Sequence, residues 1–106
     1  MLAPNPTVTL LRQAKLKIAD PKNWCQGRLH SEDGNQHCAA GAIQICSNST
    51  REMDLAFRKL DAAAREFTPF RTFIDLNNTT DHPTVMKMFD RAIEMAMVSE
   101  GENYDS

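Results

Sequence analysis

The residues that could do chemistry gather in one polar stretch, where Trp24, Cys25, His30, Asp33, His37 and Cys38 follow one another closely. Two chemistries are open to such a set. Zinc takes four Cys or His ligands in a tetrahedron, which usually arrive as two close pairs. Here Cys25 and His30 are five apart, His37 is adjacent to Cys38, and the pattern matches no zinc signature. Neighbouring residues rarely aim both side chains at one ion, so no metal ligand set is assigned, and a structural metal-binding module is only an alternative. The second chemistry is nucleophilic. A Cys38 that opens a helix would sit at the positive end of its dipole, which favours the thiolate. His37, His30 or His82 could then serve as base, with Asn77 as an orienting amide. Against this, Cys38 is followed by Ala39, Ala40, Gly41 and Ala42, a run that reads as tight packing around a small buried thiol. Cys38, His37 and Asn77 are the catalytic candidates, and no motif fixes the base. No Gly-rich phosphate loop and no serine elbow is present.

The same stretch has a binding reading. Trp24 is the only tryptophan. It is either a core anchor that covers the loop, its indole N–H on a backbone carbonyl, or a hot spot for a partner. Arg28, His30, Glu32 and Asp33 are the polar groups that a loop tip could present, with Trp24, Gly27 and the Cys38–Ala42 run as its support.

These residues need elements to position them. Asn5-Pro6 suits a helix start, and the helix is expected to run to Ala19, with Val8, Leu11, Ala14, Lys15 and Ile18 near one face. Asp20-Pro21 ends it. Asp33-Gly34 favours a tight turn, so Asn23 to His37 reads as a short hairpin-like loop. Cys38 to Cys46 reads as a short buried helix whose small residues let another backbone come close. Ser49-Thr50-Arg51-Glu52 is a capping box. The helix after it is expected to bury Met53, Ala56, Phe57, Leu60, Ala64 and Phe67 and to end at Thr68-Pro69. Asp54 with Arg58, and Asp61 with Arg65, are its surface pairs. Phe70 to Leu76 reads as an apolar linker with a helical turn over the core, and Asn77 to Asp81 as a turn. Asp81 caps a last helix that carries Val85, Met86, Phe89, Ala92, Ile93, Ala96 and Met97 inward. Met88 and Met95 form a second stripe, either buried or a homodimer face.

Composition narrows the classes of function. The 106 residues are 42% hydrophobic and 25% charged, the make-up of one globular domain. That domain is expected over 1–98, followed by a disordered acidic tail over 99–106. The net charge of -2 and pI of about 5.9 leave no basic stripe for a nucleic acid. No apolar run approaches the ~18 residues of a membrane span. Met1 to Pro6 lacks the pattern of a signal peptide, so a cytoplasmic protein is expected. Three cysteines cannot all pair within one chain, which makes reduced thiols the default.

Trp24, Gly27, Asp33-Gly34, Cys38-Ala39-Ala40-Gly41-Ala42 and Asn77 together resemble an uncharacterised domain-of-unknown-function family of small bacterial and phage proteins. In such sequences Trp-x-x-Gly leads to Cys-x-x-Gly-Ala, then to Asn-Asp before a final helix ending in Ala-Ile. Ala92-Ile93 is similar to that ending, whereas Asn78 stands where the pattern has Asp. The resemblance spans the chain from its first helix to its last. It implies a compact helical fold and a bacterial or phage source, and it brings no activity.

The expectation is a mostly α, four-helix domain with the hairpin-like loop between helices 1 and 2. Its leading function is non-enzymatic, binding another protein without a cofactor, in one form as an inhibitor of a host defence system. A Cys38-dependent small hydrolase is the alternative.

Overall fold

The computed structural model describes residues 5–67 and 69–103, and the backbone alone of residues 99–103. Five helices run along the described chain: α1 (Pro6–Lys17), α2 (Ala39–Cys46), α3 (Thr50–Ala64), α4 (Phe73–Thr79) and α5 (His82–Asn103), with one 3-10 turn at Pro21–Asn23. That is one helix more than the four expected. The addition is α4, whose residues read as an apolar linker with a helical turn, followed by a turn at Asn77 to Asp81. Thr72 caps it by accepting from the Asp75 N–H at 3.2 Å, and Asp75 lies in its first turn. At seven residues, two turns, it is too short for a hydrophobic period to declare itself.

The caps largely stand where the sequence put them. Asn5 Oδ1 accepts from the N–H groups of Thr7 and Val8 while its Nδ2 donates to the Ala96 carbonyl, so one side chain starts α1 and ties it to α5. Ser49 accepts from the Glu52 N–H, and Asp81 from the Thr84 N–H. Two helices are shorter than expected. The first stops at Lys17, with Ile18 as its cap, and the third at Ala64. Asp54 and Arg58 do pair on α3. Asp61 instead accepts from the Phe73 N–H at 2.9 Å, which fixes the start of α4.

The core lies where α1, α3 and α5 pack together, with α2 against α1 and α4 against α3. Leu11, Ile18, Ile43, Leu60, Leu76, Val85, Met88 and Phe89 are its fully buried large side chains. The expected inward faces need three corrections. Met88 is fully buried beside Phe89, so the Met88–Met95 stripe is not an exposed dimer face, and Met95 is half-buried against the core. Met97, expected inside, is 48% exposed. On α3, Ala56, Ala63 and Ala64 with Leu60 take the deepest positions; Met53 and Phe57, and Phe67 just beyond the helix, pack only partly against the core. Of the expected tail, residues 99–103 continue the backbone of α5, and residues 104–106 lie outside the described ones.

Candidate functional site

The Trp24 loop is held by α4 at two adjacent asparagines, Asn77 and Asn78, of which Asn77 makes the most bonds. Asn77 is 1% exposed, and its amide is fully engaged. Oδ1 accepts from the Trp24 indole N–H at 2.8 Å and from the Ala39 backbone N–H at 3.0 Å. Nδ2 donates to the Cys25 carbonyl at 3.2 Å and to Asn78 Oδ1 at 3.1 Å. A buried amide needs every one of these partners, because a polar group left unpaired in the interior costs about 1–3 kcal/mol. Asn77 therefore joins the loop, the start of α2 and the end of α4. Around it, Asn78 Oδ1 also accepts from the Gly27 N–H, and Gln26 Nε2 donates to the carbonyls of Asn77 and Thr80. Gly27 has a φ of +80°, a left-handed conformation that glycine adopts without steric cost. Trp24 is half-buried, and its ring makes a T-shaped contact with the His82 ring, centroids 5.6 Å apart. Its N–H thus finds a side-chain oxygen, where a backbone carbonyl was expected.

The loop then folds back as expected. Among the described residues it forms two isolated bridges and no longer strand, Trp24 with His37 in parallel and His30 with His37 antiparallel. Gly34, at φ +77°, completes the turn. Asp33 accepts from the Ser31 hydroxyl and the Asn35 N–H, and these bonds hold its carboxyl below the usual range. The base of the hairpin lies so close to α2 that the Leu29 carbonyl accepts from the Cys38 N–H at 3.0 Å. A Cβ on Gly41 would collide with that same carbonyl. The small residues of α2 thus admit the loop backbone, as their types predicted.

The histidines are engaged with one another. His30 Nδ1 and His37 Nδ1 are 2.9 Å apart, and His30 Nε2 lies 3.0 Å from Gln44 Oε1. An amide oxygen can only accept, so His30 Nε2 carries a proton. With His30 neutral its Nδ1 is bare, and His37 donates to it. Burial, the His30 ring and the Lys17 charge, in that order, hold the His37 pKa below its ordinary value. His82 Nε2 donates to the Ile18 carbonyl at 2.7 Å. Cys38 caps α2, its Sγ accepting from the Gly41 N–H at 3.4 Å. Each histidine ring thus has a partner other than the Cys38 thiol. Cys25 Sγ donates to the Arg28 carbonyl at 3.7 Å. Burial, then the neighbouring Cys38, push its thiol pKa up, partly offset by Arg28. Among the described residues no group of three His, Cys, Asp or Glu side chains could hold a metal ion.

The structure therefore brings Trp24, Cys38 and Asn77 together, with His30 and His37 at the foot of the hairpin. It leaves Arg28, Glu32 and Asp33 exposed. His30 belongs to the support and not to the free tip. Beside the Asn77 junction opens a pocket of about 200 Å³, lined by residues that include Arg28, Leu29, Cys38, Ala40, Ile74 and Asn77. Leu29 is 46% and Ile74 49% exposed. Neither Leu29, Ile74, Gln26 nor Asn78 stood out in the sequence as part of a site. Only Asn78 had a signal, its place beside Asn77 in the resembled pattern.

The model of a family of unknown function, DUF6197, matches residues 3–95. No curated protein and no solved structure matches the chain.

Proposed function

The chain belongs to DUF6197, a family of unknown function, and from that premise we propose that it acts by binding another protein. One observation carries the reading. The groups most suited to chemistry hold the scaffold, while the face beside them presents apolar side chains to solvent. Asn77 makes four hydrogen bonds, His37 bonds to His30, and Cys38 caps α2. Leu29 and Ile74 stand exposed across the pocket, with Arg28 beside them. The pocket's size supports the same reading. About 200 Å³ is below the roughly 300–1,000 Å³ of small-molecule sites and suits a side chain. No described helix is long and apolar enough to cross a membrane, which fits a partner met away from a bilayer. Inhibition of a host defence system, in a bacterial or phage setting, is a concrete form of this role that the sequence resemblance adds.

The test compares capture by the native protein with capture by a Leu29→Ser/Ile74→Ser variant, using lysate from the source cells. Both positions are half-exposed, so the variant should fold, which circular dichroism checks. A protein retained by the native form and lost by the variant is the expected result. Identical captures by the two forms would overturn the reading. The Cys38 hydrolase alternative separates from it by alkylation. At 7% exposure, Cys38 should react only as the protein unfolds, whereas a working nucleophile would react in the native state near neutral pH.

A further inference from the structure

We propose that the pocket between Leu29 and Ile74 receives an apolar side chain of a partner polypeptide, and that an acidic residue next to it in the partner pairs with Arg28. This rests on the protein-binding reading and specifies the chemistry of the partner.

Three observations converge on it. The first is volume: about 200 Å³ holds one aliphatic side chain and little more. The second is the lining. Leu29, Ala40 and Ile74 supply apolar surface, and two of the polar groups beside them are already engaged. The Asn77 amide has all its partners, and the Gly27 N–H is bonded to Asn78. A polar inner end would exchange water for a lining that is mainly apolar, so the inner end of the occupant is apolar. The third is charge. Arg28 is the one ionised side chain that lines the pocket, it is exposed, and it makes no ion pair among the described residues. Of the two acids on the hairpin turn, Asp33 is committed to Ser31 and Asn35, and Glu32 forms no ion pair with Arg28 among the described residues. A guanidinium presents a planar fork of donors that matches a carboxylate in two-point geometry. An apolar side chain in the pocket places the residue next to it at the rim, where Arg28 stands. A positive rim around an apolar floor thus selects an acidic–apolar segment over a basic or a uniformly apolar one.

The matched probes are three capped dipeptides: acetyl-Leu-Glu-amide, acetyl-Leu-Gln-amide and acetyl-Ala-Glu-amide. Each is titrated into the full chain while the backbone amide resonances of Gly27, Arg28, Leu29 and Asn78 and the Arg28 side-chain N–H are followed by NMR. The Leu-Glu peptide should bind about threefold tighter than Leu-Gln, the scale of an exposed ion pair, and tighter than Ala-Glu. That preference over Leu-Gln should shrink at high salt and vanish in Arg28→Gln. Leu29→Ser should weaken the two leucine peptides alike. Equal affinities for Leu-Glu and Leu-Gln, or no saturable shift with any peptide, would overturn the proposal. A partner captured by the native protein but lost in the Leu29/Ile74 variant would, in that event, leave the protein-binding reading standing. Identical captures would remove both.

Discussion

Two adjacent asparagines at the end of α4 perform different chemistry, and the difference can be measured. Asn77 uses both ends of its amide, donating through Nδ2 to the Cys25 carbonyl and accepting through Oδ1 from Trp24 and Ala39. Asn77→Asp removes the donor and sets a charged oxygen against that carbonyl in a buried place. A loss of about 3 kcal/mol or more in unfolding free energy is expected, combining an unpaired carbonyl with a buried charge. Asn78 contributes a single oxygen, which accepts from Gly27 and from Asn77. A carboxylate accepts at least as well, so Asn78→Asp should cost under about 1 kcal/mol, whereas Asn78→Leu should lose about 1–2 kcal/mol. Urea titrations of the three variants check this, and equal losses at the two positions would refute the division of roles. It also explains how Asn can stand where the resembled pattern has Asp. At the same scale, His37 makes stability depend on pH. Its folded pKa lies below the ordinary 6.5, chiefly because it is buried. The unfolded chain therefore takes up a proton first as the pH falls. The His37 contribution is intact above about 6.5 and declines from there down toward the folded pKa. Urea midpoints should fall over this range, before the carboxylates titrate, and the fall should be smaller in His37→Asn.

At the scale of elements, α2 and the hairpin are one unit because α2 begins with small residues. The Leu29 carbonyl is held against this helix by the Cys38 N–H, and the space a methyl would need at Gly41 is filled by that carbonyl. Backbone cannot turn aside as a long side chain can. Gly41→Ala, which in an exposed helix would stabilise by up to about 1 kcal/mol, should here destabilise by about 2–3 kcal/mol through overpacking. Calorimetry decides between the signs. The close approach was legible in Cys38-Ala39-Ala40-Gly41-Ala42, and so were the caps at Asn5, Ser49 and Asp81 and the turn at Asp33-Gly34, because each rests on local chemistry. The helix α4 shows in the sequence only as a helical turn within an apolar linker. Its one local signal, Thr72 three residues before Asp75, sits inside an apolar run that looks like a linker. The site suffered from the same gap. Asn77 was picked out, but as a catalytic amide, since its partners at Trp24, Cys25 and Ala39 are remote in sequence and no spacing rule joins them. Leu29 and Ile74 come from separate elements, and their pocket exists only once α4 is in place.

For the whole molecule, the methionines of α5 tell which face is core. A seven-residue spacing from Met88 to Met95 fits a partner-facing stripe as well as a buried one, and sequence has no means to choose. Packing chooses, because α5 lies against both α1 and α3 and so must bury a face wider than one stripe. Met88 consequently sits fully enclosed with Val85, Phe89 and Ala92, while Met97, nearer the end of the helix, is half in solvent. The two residues share a chemistry and differ in burial, which makes them a controlled pair. Met88→Ala removes atoms from a dense interior, and a loss of about 2–5 kcal/mol is expected from transfer and the cavity together. Met97→Ala removes a partly solvated side chain and should cost under about 1 kcal/mol. Chemical denaturation of the two variants at several protein concentrations separates the interior role from an interface. A Met88→Ala loss that stays constant with concentration belongs to the monomer core. A loss that shrinks on dilution would return Met88 to an interface between copies.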